Sequence, residues 1–141
     1  MRVLVVDDDA DFLHLARRAL EARGHEVEAT TSAFGIVNKV AGANAGSPGI
    51  ARSPGPDLVV LDCEMPGLSG FAVIELLAKD RRTAQVPVLL VSAGDGEQQR
   101  AARAMHPLAH FHRKDGRMKG FVDDVEEHHR AVISEVARVK T

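Results

Sequence analysis

The chain has no tryptophan and no tyrosine, and only five phenylalanines among its 141 residues. Stacking nucleic-acid bases on aromatic rings would rest on those phenylalanines, most of which sit at core-patterned positions. A dominant charge is lacking too. Net charge is −2 and the isoelectric point is about 6.4, so there is no support for a basic nucleic-acid-binding face. No apolar run approaches the roughly 18–20 residues needed to cross a bilayer. The single cysteine, Cys63, excludes an internal disulfide and fits a cytoplasmic setting. An apolar strand-like segment begins directly after Met1 and Arg2, so no secretory leader is expected. Neither Gly-x-Gly-x-x-Gly nor a Walker A loop occurs, and Gly94-Asp95-Gly96 lacks the third glycine, so the nucleotide-binding reading fails.

What the chain does have is alternation. Val3 to Val6 is a continuous apolar run, the pattern of a buried parallel strand. From Ala10 to Arg23 apolar residues recur at helical spacing until Gly24 stops them. A strand is predicted over His25–Thr30, with Val27 and Ala29 on one face. A short helix follows over Ala33–Val40, with Ser32 as its cap. Asp57–Leu61 reads as a strand, and Gly70–Asp80 as a helix with Phe71, Ile74, Leu77 and Ala78 on one face. Val86–Val91 is the next strand, with Pro87 near its start, and Glu97–Met105 a weaker helix ended before Pro107. Leu108–Arg113 and Met118–Val139 give the last strand and helix. This alternation predicts βαβ units forming a parallel sheet covered on both faces. Length and an apolar fraction of 45% fit one soluble domain, residues 1–141.

One stretch breaks the pattern. Gly42 to Pro56 is dominated by glycine and proline, with Ile50 its only large apolar residue. That composition favours a mobile loop over a packed element. Connections in α/β units usually run about 2–6 residues, so this one is an insertion. It reads as a tolerated surface loop or as a partner-docking loop.

Four positions fall at predicted strand ends: the pair Asp7-Asp8, then Asp62, Ser92 and Lys114. The carboxyl ends of strands in an open parallel sheet line up along one edge, where such sheets bind ligands. Three carboxylates there make a hard, oxygen-rich site suited to Mg²⁺. A lysine and a serine beside them suit a phosphoryl group.

These residues carry a resemblance. The segments Val5-Val6-Asp7-Asp8-Asp9, Leu61-Asp62-Cys63-Glu64-Met65-Pro66-Gly67-Leu68-Ser69-Gly70, Val91-Ser92-Ala93 and Lys114 are similar to the motifs of the receiver domain of two-component response regulators. The resemblance covers nearly the whole chain. It implies a doubly wound five-stranded sheet in the flavodoxin-like order 2-1-3-4-5. It implies that Asp62 is the phosphoacceptor and that Mg²⁺ is held by Asp7, Asp8, Asp62 and the backbone carbonyl of Glu64. Ser92 and Lys114 would contact phosphoryl oxygens, and Ser92 would move on activation. Phe111 matches the family's switch aromatic, and reads equally as a buried strand residue. A carboxylate nucleophile needs no general base, because it is ionised at neutral pH. The cation would relieve the repulsion between two anions.

The expected function is a phosphorylation-dependent signalling switch. It would take its phosphoryl group from a histidine kinase or phosphotransfer protein and act on a downstream protein target. Self-phosphorylation and autodephosphorylation would be its only chemistry. The switch would act through the face made by the fourth helix, fifth strand and fifth helix. No output domain is expected after Lys140-Thr141, and neither direct nucleic-acid binding nor a membrane partner. Two rivals are a phosphorylation-independent pseudo-receiver and a metal-dependent phosphatase, for which Glu64 is the only acid/base candidate.

Three features depart from the family pattern. Lys114 is followed by Asp115, where the family usually has proline, often in cis. Gly94-Asp95-Gly96 weakens the helix that follows. Glu64 adds a fourth carboxylate near the site. Asp9 and Asp11 read as helix N-terminal acids. Cys63 reads as a small filler whose thiol pKa is raised by neighbouring acids. The seven histidines have no structural zinc spacing and read as scattered surface imidazoles.

Overall fold

The computed structural model describes residues 1–42, 55–65, 68–92, 104, 106–114 and 117–140. In chain order the elements are β1 (Arg2–Val6), α1 (Ala10–Ala22), β2 (Glu26–Thr30), α2 (Ile36–Ala41), β3 (Leu58–Asp62), β4 (Glu64–Met65), β5 (Leu68–Ser69), α3 (Gly70–Lys79), β6 (Val88–Ser92), β7 (Ala109–Arg113) and α4 (Met118–Lys140). Five strands form one sheet in the order β2-β1-β3-β6-β7, and every pairing in it is parallel. With the small antiparallel β4–β5 ribbon set aside, this is the expected 2-1-3-4-5 order. No described helix is long and apolar enough to cross a membrane.

Strand side chains alternate between the two faces, which explains the continuous apolar runs. Leu4, Val6, Val59, Leu61, Val88 and Leu90 meet Ile36 and Val40 of α2 and Val73, Ile74 and Leu77 of α3. Val3, Val5, Leu58, Val60, Leu89 and Val91 meet Phe12, Leu13, Ala16 and Leu20 of α1 and Phe121, Val122 and Val125 of α4. Truncating one of these leucines or isoleucines to alanine costs about 2–5 kcal/mol.

Local chemistry sets the helix ends. Asp9 caps α1, its Oδ1 accepting from the backbone N–H of Asp11 at 3.0 Å and of Phe12 at 3.3 Å. Gly24 follows α1 with φ +87°, a left-handed conformation open to glycine. Ser69 caps α3 through Ala72 N at 3.2 Å, a cap the sequence reading missed.

Two expectations need correction. The second helix begins at Ile36, not Ala33. The Ser32 hydroxyl accepts from Phe34 N at 3.1 Å within a turn, and Gly35 at φ +70° separates that turn from α2. The buried face of α3 is Gly70, Val73, Ile74 and Leu77, while Phe71 and Ala78 are only half-buried. The stripe i, i+3, i+4, i+7 therefore runs from Gly70, because that glycine sits on the sheet. Residues 43–54 of the Gly42–Pro56 stretch, Pro66-Gly67, Gly94–Gly96, most of the Glu97–Met105 helix and Asp115 lie outside the described residues.

Candidate functional site

Four neighbouring strands end at one edge. Asp7 follows β1, Asp62 ends β3, Ser92 ends β6 and Lys114 follows β7. The register sets Asp62 beside Val91 and Ser92 beside Arg113. Lys114 N donates to Ser92 O at 2.8 Å, so the backbone carries the lysine to the end of β6.

The acids converge there. Carboxylate oxygens of Asp7, Asp8 and Asp62 all lie within 4.8 Å of one another. Asp7 and Asp62 are buried and Asp8 is exposed. Asp7 Oδ1 accepts from Asp9 N at 2.9 Å, and Asp62 Oδ1 accepts from Glu64 N at 3.2 Å. Lys114 Nζ lies 2.7 Å from Asp7 Oδ2 and 3.8 Å from Asp62 Oδ2. At Asp7 Oδ2 the ammonium provides charge without hydrogen-bond geometry, so this buried oxygen has a cation beside it and no directed donor.

Burial pushes the Asp62 carboxyl up to about 7, and the Asp7 carboxylate adds to the rise. The Glu64 N–H and the Lys114 ammonium oppose it. Desolvation and the like charge of Asp7 thus raise the cost of ionising Asp62, a cost that a cation at the cluster would relieve. Burial pushes the Cys63 thiol up to about 12, with Asp62 and Glu64 raising it further. The thiol is a small filler as expected, but it is buried outright, and burial outweighs the acids as the cause of the rise. Ser92 is itself buried, and its side chain opposes the rise at the Cys63 thiol.

Crowded anionic oxygens, one buried and lacking a directed donor, fit a hard divalent cation of the Mg²⁺ class. Among the described residues this is the only cluster of at least three His, Cys, Asp or Glu side chains spaced for a metal. The histidines are not all surface groups. His106 is wholly buried, and its burial lowers its pKa. His112 pairs with Asp124 and His25 with Glu126.

Glu64 lies on β4 with an exposed side chain. Phe111 is half-buried against the cluster under α2 and α3. Two residues gain importance only in three dimensions. A Cβ on Gly70 would lie 2.6 Å from Asp62 O and 2.8 Å from Cys63 Cα, and Gly70 N donates to Cys63 O at 3.0 Å. The first turn of α3 thus rests on the backbone of Asp62, and only glycine fits. Phe12 read as helix core, yet its ring lies under Lys114.

The sequence pattern that defines the response regulator receiver domain matches residues 3–115. The chain belongs to this family. Among similar proteins, the receiver-domain chain is 34% identical to PilH of Pseudomonas aeruginosa over 97 residues, covering 68% of this chain and 70% of PilH. It is 30% identical to the polar-differentiation response regulator DivK of Brucella ovis over 100 residues, covering 68% and 72% of the two chains. The match to the DNA-binding transcriptional regulator RpaA of Synechocystis is 34% over 92 residues and spans 34% of that longer protein. The fold is shared with a CheY-like receiver domain protein of Methanospirillum hungatei at TM-score 0.73 and 20% identity, covering 95% and 97% of the two chains. It is shared too with the Francisella response regulator 1452 receiver domain at TM-score 0.70 and 19% identity, covering 92% and 97%.

Proposed function

We propose that this receiver domain is a phosphorylation switch with Asp62 as phosphoacceptor. One observation carries the reading: Asp62, Asp7, Asp8 and Lys114, far apart in sequence, meet at one strand edge. In the proposed step a carboxylate oxygen of Asp62 bonds to phosphorus, and the bond from phosphorus to the donor breaks, leaving an acyl phosphate. Asp7, Asp8 and Asp62 would hold Mg²⁺, joined by the Glu64 carbonyl. Bound there, the cation supplies charge neutralisation for two approaching anions. Lys114 supplies a point charge to a phosphoryl oxygen, and Ser92 a hydroxyl from the end of β6.

The donor is a histidine kinase or phosphotransfer protein, and output runs through contact with a downstream protein. The phosphatase reading is less supported, because its sole acid/base candidate, Glu64, is exposed while Asp7 and Asp62 are buried. The test is incubation with acetyl phosphate, with and without Mg²⁺, read by intact mass. A gain of one phosphoryl group that needs Mg²⁺ and vanishes in Asp62→Asn is expected. An undiminished gain in that variant overturns the assignment, and no gain in wild type favours a phosphorylation-independent binding module.

A further inference from the structure

We propose that Phe12 is a positioning residue for Lys114, holding the ammonium at the acid cluster by the face of its ring. The inference rests on the proposed switch chemistry for its functional consequence, and on geometry alone for the contact. Lys114 Nζ lies 4.5 Å from the centroid of the Phe12 ring. That is within cation–π range, where the negative face of an aromatic ring attracts an ammonium. The lysine stem is long and rotamer-rich, and part of its side chain remains exposed. Asp7 and Asp62 attract the ammonium, and the ring face lies within range of the same Nζ.

The ring is braced in turn. Phe12 meets Phe121 of α4 edge-on, centroids 5.6 Å apart at 71°. Phe121 meets His112 of β7 at 5.7 Å and 65°. The His112 Nδ1 is 2.5 Å from Asp124 Oδ2 on α4. His112 and Lys114 leave the same strand, so α1, α4 and β7 fix the lysine and its platform against one another. Phe12 also belongs to the helix that begins directly after the acid pair, so α1 orders acids and ring together. A core role alone asks only for apolar volume. A platform asks for a π face, and the two demands separate experimentally.

The experiment compares wild type, Phe12→Leu, Phe12→Tyr, and protein with 3,4,5-trifluorophenylalanine at position 12, each in wild-type and Lys114→Ala backgrounds. Tyrosine keeps the π face, and its hydroxyl can extend into the roughly 230 Å³ cavity that Phe12 already lines. The trifluoro ring keeps the volume and loses the negative face, so it covers the case in which Phe12→Leu fails to fold. Two readouts are taken: the rate of phosphorylation by acetyl phosphate at saturating Mg²⁺, and the NMR shifts of the Lys114 Cε protons. The expected result is a rate about three- to tenfold lower for leucine and the trifluoro ring, near wild type for tyrosine. No further loss should appear in the Lys114→Ala background. The Lys114 Cε protons should show an upfield ring-current shift that leucine abolishes and tyrosine keeps. Equal rates for the trifluoro and native rings, or a loss that persists without Lys114, overturns the proposal. Should wild type accept no phosphoryl group, the switch reading falls, and the ring-current shift alone decides whether Phe12 holds Lys114.

Discussion

Lys114 is closer to Asp7 than to Asp62: its Nζ is 2.7 Å from Asp7 Oδ2 and 3.8 Å from Asp62 Oδ2. The positive charge thus sits with the fully buried acid, the one that most needs compensation. A carboxylate out of water and without a counter-charge is expensive, so each acid here is tolerated through its neighbours.

Removing the ammonium should therefore expose that cost. Lys114→Met is expected to lose about 1–3 kcal/mol of stability in chelator, below the full penalty for breaking a buried pair because the lysine is partly exposed. Millimolar Mg²⁺ should return much of the loss, since a ligand of the native state stabilises it by mass action. Asp7→Asn in the same background should also recover stability. Urea melts of the single and double variants check this, and a Lys114→Met protein as stable as wild type in chelator refutes it.

Asp62 gives a pH signature. Its carboxyl ordinarily titrates at 3.8 and rises to about 7 in the fold. Between those values the native protein keeps a proton that the unfolded chain has lost. The native state binds more protons there, so stability falls as pH rises through the window and levels off above about 7. Asp62→Asn has no such titration. In chelator the variant should match wild type near about pH 4.5 and exceed it in melting temperature near about pH 8. Groups remote from the cluster cancel in the difference, which reports Asp62 together with its coupling to Asp7 and Lys114. A gap that does not change with pH would show that Asp62 is not destabilised by its site.

Gly70→Ala tests the seat of α3. The added Cβ falls 2.6 Å from the Asp62 carbonyl oxygen and 2.8 Å from Cys63 Cα, both backbone atoms that cannot rotate away. We expect a loss of about 1–3 kcal/mol, the usual cost of overpacking. Phosphorylation should also slow, because the displaced backbone carries Asp62, the proposed phosphoacceptor. Urea denaturation and acetyl phosphate kinetics report the two effects. Unchanged values in both would mean that α3 shifts at no cost to the site.

Much of this architecture was legible in the chain. Strands β1, β3 and β6 were found as unbroken apolar runs, whereas β2 showed only alternation and β7 mixes polar residues in. Asp7, Asp8, Asp62, Ser92 and Lys114 were found because they fall at the ends of four of the strands. The β4–β5 ribbon was not found, because two-residue strands carry no period. The start of α2 was misplaced because Ser32 offered a cap, whereas Gly35 set the boundary by its left-handed backbone. The raised Asp62 pKa depends on burial, which no local pattern encodes. Phe12 fits the helical apolar period as core does, and only the packed structure places a lysine over its ring. The same holds for His106, whose complete burial has no sequence mark.

The Gly42–Pro56 insertion yields the last prediction. Its two ends meet at the foot of α2. Gly42 stands at φ +89° with its N–H donating to Asn38 O at 3.1 Å. A Cβ on Gly55 would fall 2.2 Å from Val40 O and 3.2 Å from Gly42 N, so the returning backbone passes directly against the departing one. A very short linker can bridge that gap. From there Asp57 N donates to Arg2 O at 2.8 Å, which places the return at the amino end of β1 and β3, opposite the edge holding Asp7 and Asp62. Replacing residues 43–54 by a brief Gly-Ser linker should thus leave the acetyl phosphate rate unchanged. Melting temperature should hold or rise slightly, because closing a shorter loop costs less entropy. The measurement is phosphorylation kinetics by intact mass beside thermal melts of both proteins. A large fall in rate at constant melting temperature would show that the insertion reaches the phosphorylation edge. A fall in both would show that it packs as part of the domain.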